Sequence, residues 1–188
     1  MRCFSNFHFH ARSCWAQVYL FFEEGISLKL CVLKFSFLWY QIIMCFVLYL
    51  SSDVELEESP QGIWTEEKSI QPFIWLHKVA ENEKEFAILS QKLHKRHLYY
   101  VGSNKGCGCG FYCYDVNLEE EADRQIRQKN YAFISDLLQS QPGENFEMFA
   151  CWEGDQWKEP ERKVEITKKG LVNPDFIFEE LFFYSILV

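Results

Sequence analysis

The chemistry open to this chain is concentrated in "GSNKGCGCGFYCYD", residues 102–115, where Cys107, Cys109 and Cys113 are interleaved with Gly102, Gly106, Gly108 and Gly110. Thiolates are nucleophiles and soft metal ligands, and nearby dipoles and charges set how readily a thiol ionises. Glycines flanking Cys107 and Cys109 permit backbone conformations closed to other residues. They can also leave the amides of Gly106, Gly108 and Gly110 facing an anion or a cofactor.

Three readings follow. In the first, Cys107 and Cys109 hold a metal, zinc or iron, with Cys151 and Cys45 as further ligands and Cys113, His94 or His97 as substitutes in a tetrahedral set. The C-x-C-x3-C spacing is not that of a zinc ribbon, whose second cysteine pair is missing. In the second, Cys107 or Cys109 is a nucleophile or redox thiol, with His94 or His97 as base and the loop amides as an oxyanion hole. A variant makes Cys45, directly after Met44, an N-terminal nucleophile. In the third, the cysteines are small buried hydrophobes and the glycines mark a bend. Glu153 and Asp155 in "CWEGDQW" could supply an acid or base near the loop, although a turn is the plainer role for them. No Gly-Lys-Ser/Thr follows the glycines, which excludes a P-loop.

The elements that must position these residues can be read from pattern. "CFVLYL" (45–50), closed by Ser51, Ser52 and Asp53, has the form of a buried strand, and "PFIWLHKV" (72–79) and "HLYYV" (97–101) are further strands. Between them, 81–95 reads as a helix with Phe86, Leu89 and Leu93 on its inner stripe. A longer helix over 117–140 offers Leu118, Ala122, Ile126, Phe133, Leu137 and Leu138 to a core, and Pro142-Gly143 ends it. Strands at 146–152, 163–167 and 176–188 complete the set. The expected fold is a single α/β or α+β domain over 44–188, a mixed sheet with two main helices and a C-terminal antiparallel hairpin. The cysteine loop then leaves the carboxyl end of a strand, where open sheets place their ligand crevices.

The net charge of −8 leaves no basic face for phosphates, so no nucleic-acid partner is expected. Charge and composition change near residue 44. Residues 1–43 hold eleven aromatics and no proline or aspartate, and Arg2, Arg12, Lys29 and Lys34 outweigh Glu23 and Glu24 there. One reading makes 1–43 a non-native or disordered leader and Met44 the start of a cytoplasmic protein. The alternative makes residues 28–50 a membrane anchor flanked by basic residues. A protein-interaction module, with Trp64, Trp152 and Trp157 in an exposed patch and inert cysteines, is a further alternative.

The segments "MCFVLYLSSD", "YYVGSNKGCGCGF", "ACWEGD" and "NPDFIFEE" together resemble a family of small uncharacterised bacterial proteins that begin Met-Cys and carry a Gly-Cys-Gly-Cys-Gly-Phe loop. The resemblance runs from Met44 onward. It implies organisation and a start at Met44, but no activity, and Cys113 stands outside its pattern.

Overall fold

The computed structural model of the protein describes residues 45–59 and 74–187. Seven consecutive residues that can all be buried, "FVLYLSS", make β1 (Phe46–Ser52) the inner strand around which the rest is built. A strand covered on both faces needs apolar residues at every position rather than alternate ones. The remaining strands are β2 (Ile74–Lys78), β3 (His97–Ser103), β4 (Phe146–Trp152), β5 (Arg162–Thr167) and β6 (Phe182–Leu187). They form one six-stranded sheet in the order β2-β3-β1-β4-β6-β5. Two helices, α1 (Lys84–Leu89) and α2 (Glu121–Gln139), complete an α+β fold within the compact unit Cys45–Val188.

Side-chain alternation divides β1 between two cores. Phe46, Leu48 and Leu50 join Met148 and Ala150 of β4 beneath Tyr131, Ile134 and Leu138 of α2. Val47 and Tyr49 face the other way, with Phe149, Cys151 and Phe183, against Leu89 and Leu93. The outer edge of β2 is protected by side chains of the preceding segment. Ser59 Oγ accepts from the Leu76 amide at 2.9 Å, and Glu58 Oε1 accepts from that of Lys78 at 2.6 Å. Amides bonded in this way do not invite another strand.

Three sequence expectations need correction. The C-terminal strands are no antiparallel hairpin: β5 runs parallel to β6, with Val164 opposite Tyr184, while β6 is antiparallel to β4. A parallel pair needs a crossover, and residues 168–181 provide it by passing over the sheet. They begin with a 3₁₀ turn, Lys168–Val172, and lay Phe176 and Phe178 against Tyr131 and Tyr184. The first helix is also shorter than 81–95, ending at Leu89, although Leu89 and Leu93 are buried as expected.

The long helix starts at Glu121 rather than at residue 117, because Asp115 turns the chain. Its carboxylate accepts from the Asn117 amide at 2.9 Å and its carbonyl from the Leu118 amide at 3.1 Å. Leu118 is consequently 80% exposed, not a core residue. The buried face of α2 is Arg127, Asn130, Tyr131, Ile134, Ser135 and Leu138. Residues 46–50, which close the apolar run read as a membrane segment, form buried strand; residues 28–44 of that run and Trp64 lie outside the described residues. Among the described residues, no helix is long and apolar enough to cross a membrane.

Candidate metal centre

The cysteine loop is fixed at the end of β3 by short-range bonds. Ser103 N–H donates to the Cys107 carbonyl at 2.8 Å, and the Gly106 amide donates to the Ser103 carbonyl at 2.9 Å. Gly106 takes φ of +76°, a conformation that favours glycine at this reversal. The Ser103 hydroxyl holds both sides of the loop, donating to the Cys107 carbonyl at 2.6 Å and accepting from the Gly110 amide at 3.0 Å. Two of the amides that could have faced a ligand, those of Gly106 and Gly110, are thus bonded inside the loop.

A 3₁₀ turn, Gly108–Phe111, then swings the chain against the start of β1. The approach is so close that a Cβ on Gly108 would lie 2.6 Å from the Phe46 carbonyl oxygen and 3.1 Å from Val47 Cα. From below, Asn130 of α2 donates to Asn104 Oδ1 at 2.8 Å and to the Gly110 carbonyl at 3.1 Å, and the Tyr131 hydroxyl donates to the Phe111 carbonyl at 2.6 Å. Glu119 and Arg127 clamp the start of the same helix through two bonds of 2.8 and 2.6 Å.

The result is a convergence of sulfur atoms. Cys45, Cys107 and Cys109 each offer one ligand atom, and the three lie within 4.8 Å of one another. Four-coordinate zinc, with Zn–S bonds of about 2.3 Å, needs sulfurs about 3.8 Å apart, which small rotations of these side chains would reach. Cys107 is buried, whereas Cys45 and Cys109 keep part of their surface in contact with solvent. Backbone amides point at two of the sulfurs. Phe46 N–H donates to Cys109 Sγ at 3.3 Å, and Cys109 N–H donates to Cys107 Sγ at 3.4 Å.

The three groups divide their protons unequally. Hydrogen bonds from Cys107 and Cys45, helped by the Phe46 amide and the Lys105 charge, hold Cys109 down at about 3 despite burial. Cys107 is pushed well up by its bonds to Cys109 and Cys45, and then by burial. Cys45 is pushed up to about 12: its bond with Cys107 favours the thiolate but is outweighed by its bond with Cys109 and by burial. These directions favour one thiolate, on Cys109, supported by two thiols. The trio can attack an electrophile through Cys109, or give up its remaining protons to a divalent cation held by all three sulfurs, with one negative charge left in excess.

The other candidates lie elsewhere. Cys151 is fully buried opposite Val47, in the core it shares with Phe149 and Phe183, and burial drives its pKa far up. Cys113 is half-buried and next to Glu119. His97 pairs with Ser52 at the opposite end of β1 from Cys45, and His94 lies at that same end, its Nδ1 3.6 Å from Glu147. Neither histidine can serve the trio. Glu153 belongs to the neighbourhood: its amide donates to the Cys45 carbonyl at 2.8 Å and its charge raises the Cys45 pKa. Asp155 instead pairs with Lys158 at 2.9 Å. Ser103, Asn104 and Asn130 do the positioning without having been singled out in the sequence. The one available signal was the placing of Ser103 and Asn104 between glycines in "GSNKG"; Asn130, within a helix, carried none. Compared with protein-family models, curated proteins and solved structures, the chain matches none.

Proposed function

We propose that the protein binds a single thiophilic metal ion, zinc in the first instance, through the thiolates of Cys45, Cys107 and Cys109. The observation that carries this reading is that three sulfurs from segments about sixty residues apart in the chain come within 4.8 Å of one another. A packing role for the cysteines gives no reason for such convergence, since thiols placed only to fill a core do not need to face each other. The local construction supports it further. The Cys-Gly-Cys segment is pressed onto β1 at Gly108, and two amides are aimed at sulfur. Thiolate donors select zinc, copper(I) or iron over magnesium and calcium, which take oxygen ligands.

A second reading rests on Cys109 alone: a thiolate held by two neighbouring thiols and a backbone amide is the arrangement of a reactive cysteine. The two readings separate in one experiment. The full chain is purified anaerobically under reduction beside a Cys107→Ser, Cys109→Ser double variant, and metal per chain is measured by elemental analysis. Near-stoichiometric zinc that disappears in the variant is the expected result. Near-stoichiometric iron instead would keep the site and change its occupant. A metal-free wild type that also takes up no added zinc would sink the proposal and leave the thiol reading.

A further inference from the structure

Among the described residues the cluster supplies three ligands, and that number has a chemical meaning. Among the described residues, no fourth histidine, cysteine, aspartate or glutamate joins Cys45, Cys107 and Cys109 within the same reach. The nearby polar side chains are committed to the loop: Ser103 Oγ to the Cys107 carbonyl and the Gly110 amide, Asn104 Oδ1 to Asn130. Structural zinc sites close with four protein ligands, while sites that work on a substrate keep three and leave one position for an incoming donor. Partial exposure of Cys45 and Cys109 puts that opening toward solvent rather than toward the core.

Resting on the metal reading above, we infer that the ion bound by Cys45, Cys107 and Cys109 keeps its fourth coordination position for an exogenous small-molecule thiol. Three thiolates make a soft ion softer, so a sulfur donor competes well there against water or carboxylate oxygen. A fourth thiolate adds negative charge, and Lys105, exposed on the same loop, carries the opposite sign. Phe46, whose amide holds Cys109, buries its ring completely against Tyr112 at 4.7 Å and, edge-on, against Trp152 at 5.5 Å, so the backbone that carries this contact to sulfur is firmly held.

The test uses cobalt(II) as the probe ion in the full reduced chain, where near-ultraviolet sulfur-to-cobalt absorption counts thiolate ligands and visible bands report the geometry. Titration with 2-mercaptoethanol should raise the sulfur-to-cobalt absorption by about one third, as three sulfur donors become four. The cobalt should remain with the protein on desalting. An initial absorption that already corresponds to four sulfurs would overturn the inference, since a further residue of the chain would then fill the position. So would an absorption unmoved by the thiol, and a Glu153→Gln variant whose visible bands shift would identify that carboxylate as the occupant. Loss of all cobalt bands on adding thiol would also count against it. Absence of any sulfur-to-cobalt absorption before thiol is added would be a different failure, that of the metal site itself.

Discussion

Cys45 and Cys151 lie on adjacent strands of one sheet, yet only Cys45 has sulfur neighbours. Cys151 is opposite Val47, the second residue of β1, and shares its face with Phe149, Phe183, Leu89 and Leu93. Cys45 sits at the strand's entrance, where the loop from β3 folds over the sheet and brings Cys107 and Cys109 against it. Burial is the main influence on the Cys151 thiol, while hydrogen bonds between thiols govern the trio. A cysteine inside a strand inherits its environment from side-chain parity, and one at a strand's end inherits it from the loop that crosses there.

The largest effect that would test this contrast is on metal affinity. Structural zinc sites contribute about 10–16 kcal/mol in total, so loss of one of three sulfur ligands should cost about 4 kcal/mol, or about a thousandfold in affinity. Competition against a chelator should show that loss for Cys109→Ser and no change beyond twofold for Cys151→Ser. Comparable losses in the two variants would erase the distinction.

Next in size is the clamp that fixes α2 beneath the loop. Arg127 and Glu119 are both almost fully buried, so Glu119→Gln leaves a buried charge without its partner and should destabilise the fold by about 3 kcal/mol at neutral pH. The bond to Arg127 holds the Glu119 carboxyl below its ordinary value of 4.5. A depressed folded pKa gives stability that is present above 4.5 and is lost as pH falls through the lower, folded value. Urea midpoints of wild type and variant should therefore converge on acidification below 4.5. Parallel curves over that range would show that the pair does not hold the helix.

The loop's contact with β1 is the third point of attack. Gly108→Ala puts a methyl group 2.6 Å from the Phe46 carbonyl oxygen, and backbone on both sides can yield only by separating Cys107 and Cys109 from Cys45. Overpacking of this kind costs about 2 kcal/mol. Metal affinity should fall with it, by about tenfold or more. Gly143→Ala is the control: it meets open space, though its φ of +81° adds strain, so it should lower stability without touching the metal. A metal affinity unchanged in Gly108→Ala would detach the loop's seating from the site.

What the sequence made legible follows the same physics. Every described strand was anticipated, β5 by the alternation of "KVEIT" and the others by apolar runs, although the strand expected over 176–188 begins only at Phe182; the loop was placed correctly at the carboxyl end of β3 because glycines after "HLYYV" could mean little else. The phase of α2 was hidden because Arg127 and Asn130, polar by type, face inward once Glu119, Asn104 and Gly110 supply partners. Hydrophobicity assigns such residues to the outside. The parallel pairing of β5 and β6 was equally hidden. The connection between them contains no long helix to announce a crossover, only the 3₁₀ turn and the aromatic stretch around Phe176 and Phe178. At the site, Cys107 and Cys109 announced themselves by spacing, and Cys45 by the strand it opens. That Cys151 turns away depends on register, which no local pattern contains.

The smallest effect belongs to Cys151 itself, and it closes the comparison from the other side. As a side chain packed among Val47, Phe149 and Phe183 with no ligand to serve, it contributes only the contacts of a small apolar group. Cys151→Ala should lower stability by about 1 kcal/mol. Stoichiometric metal binding should persist, since the vacancy opens on the face of the sheet away from α2. The same burial predicts that in metal-free protein an alkylating reagent labels Cys109 first while Cys151 reacts only after unfolding, a difference that peptide mass mapping would read directly. Labelling of Cys151 at the rate of Cys109 would mean that the second core opens to solvent as easily as the loop does, and the two cysteine environments would then differ in geometry but not in protection.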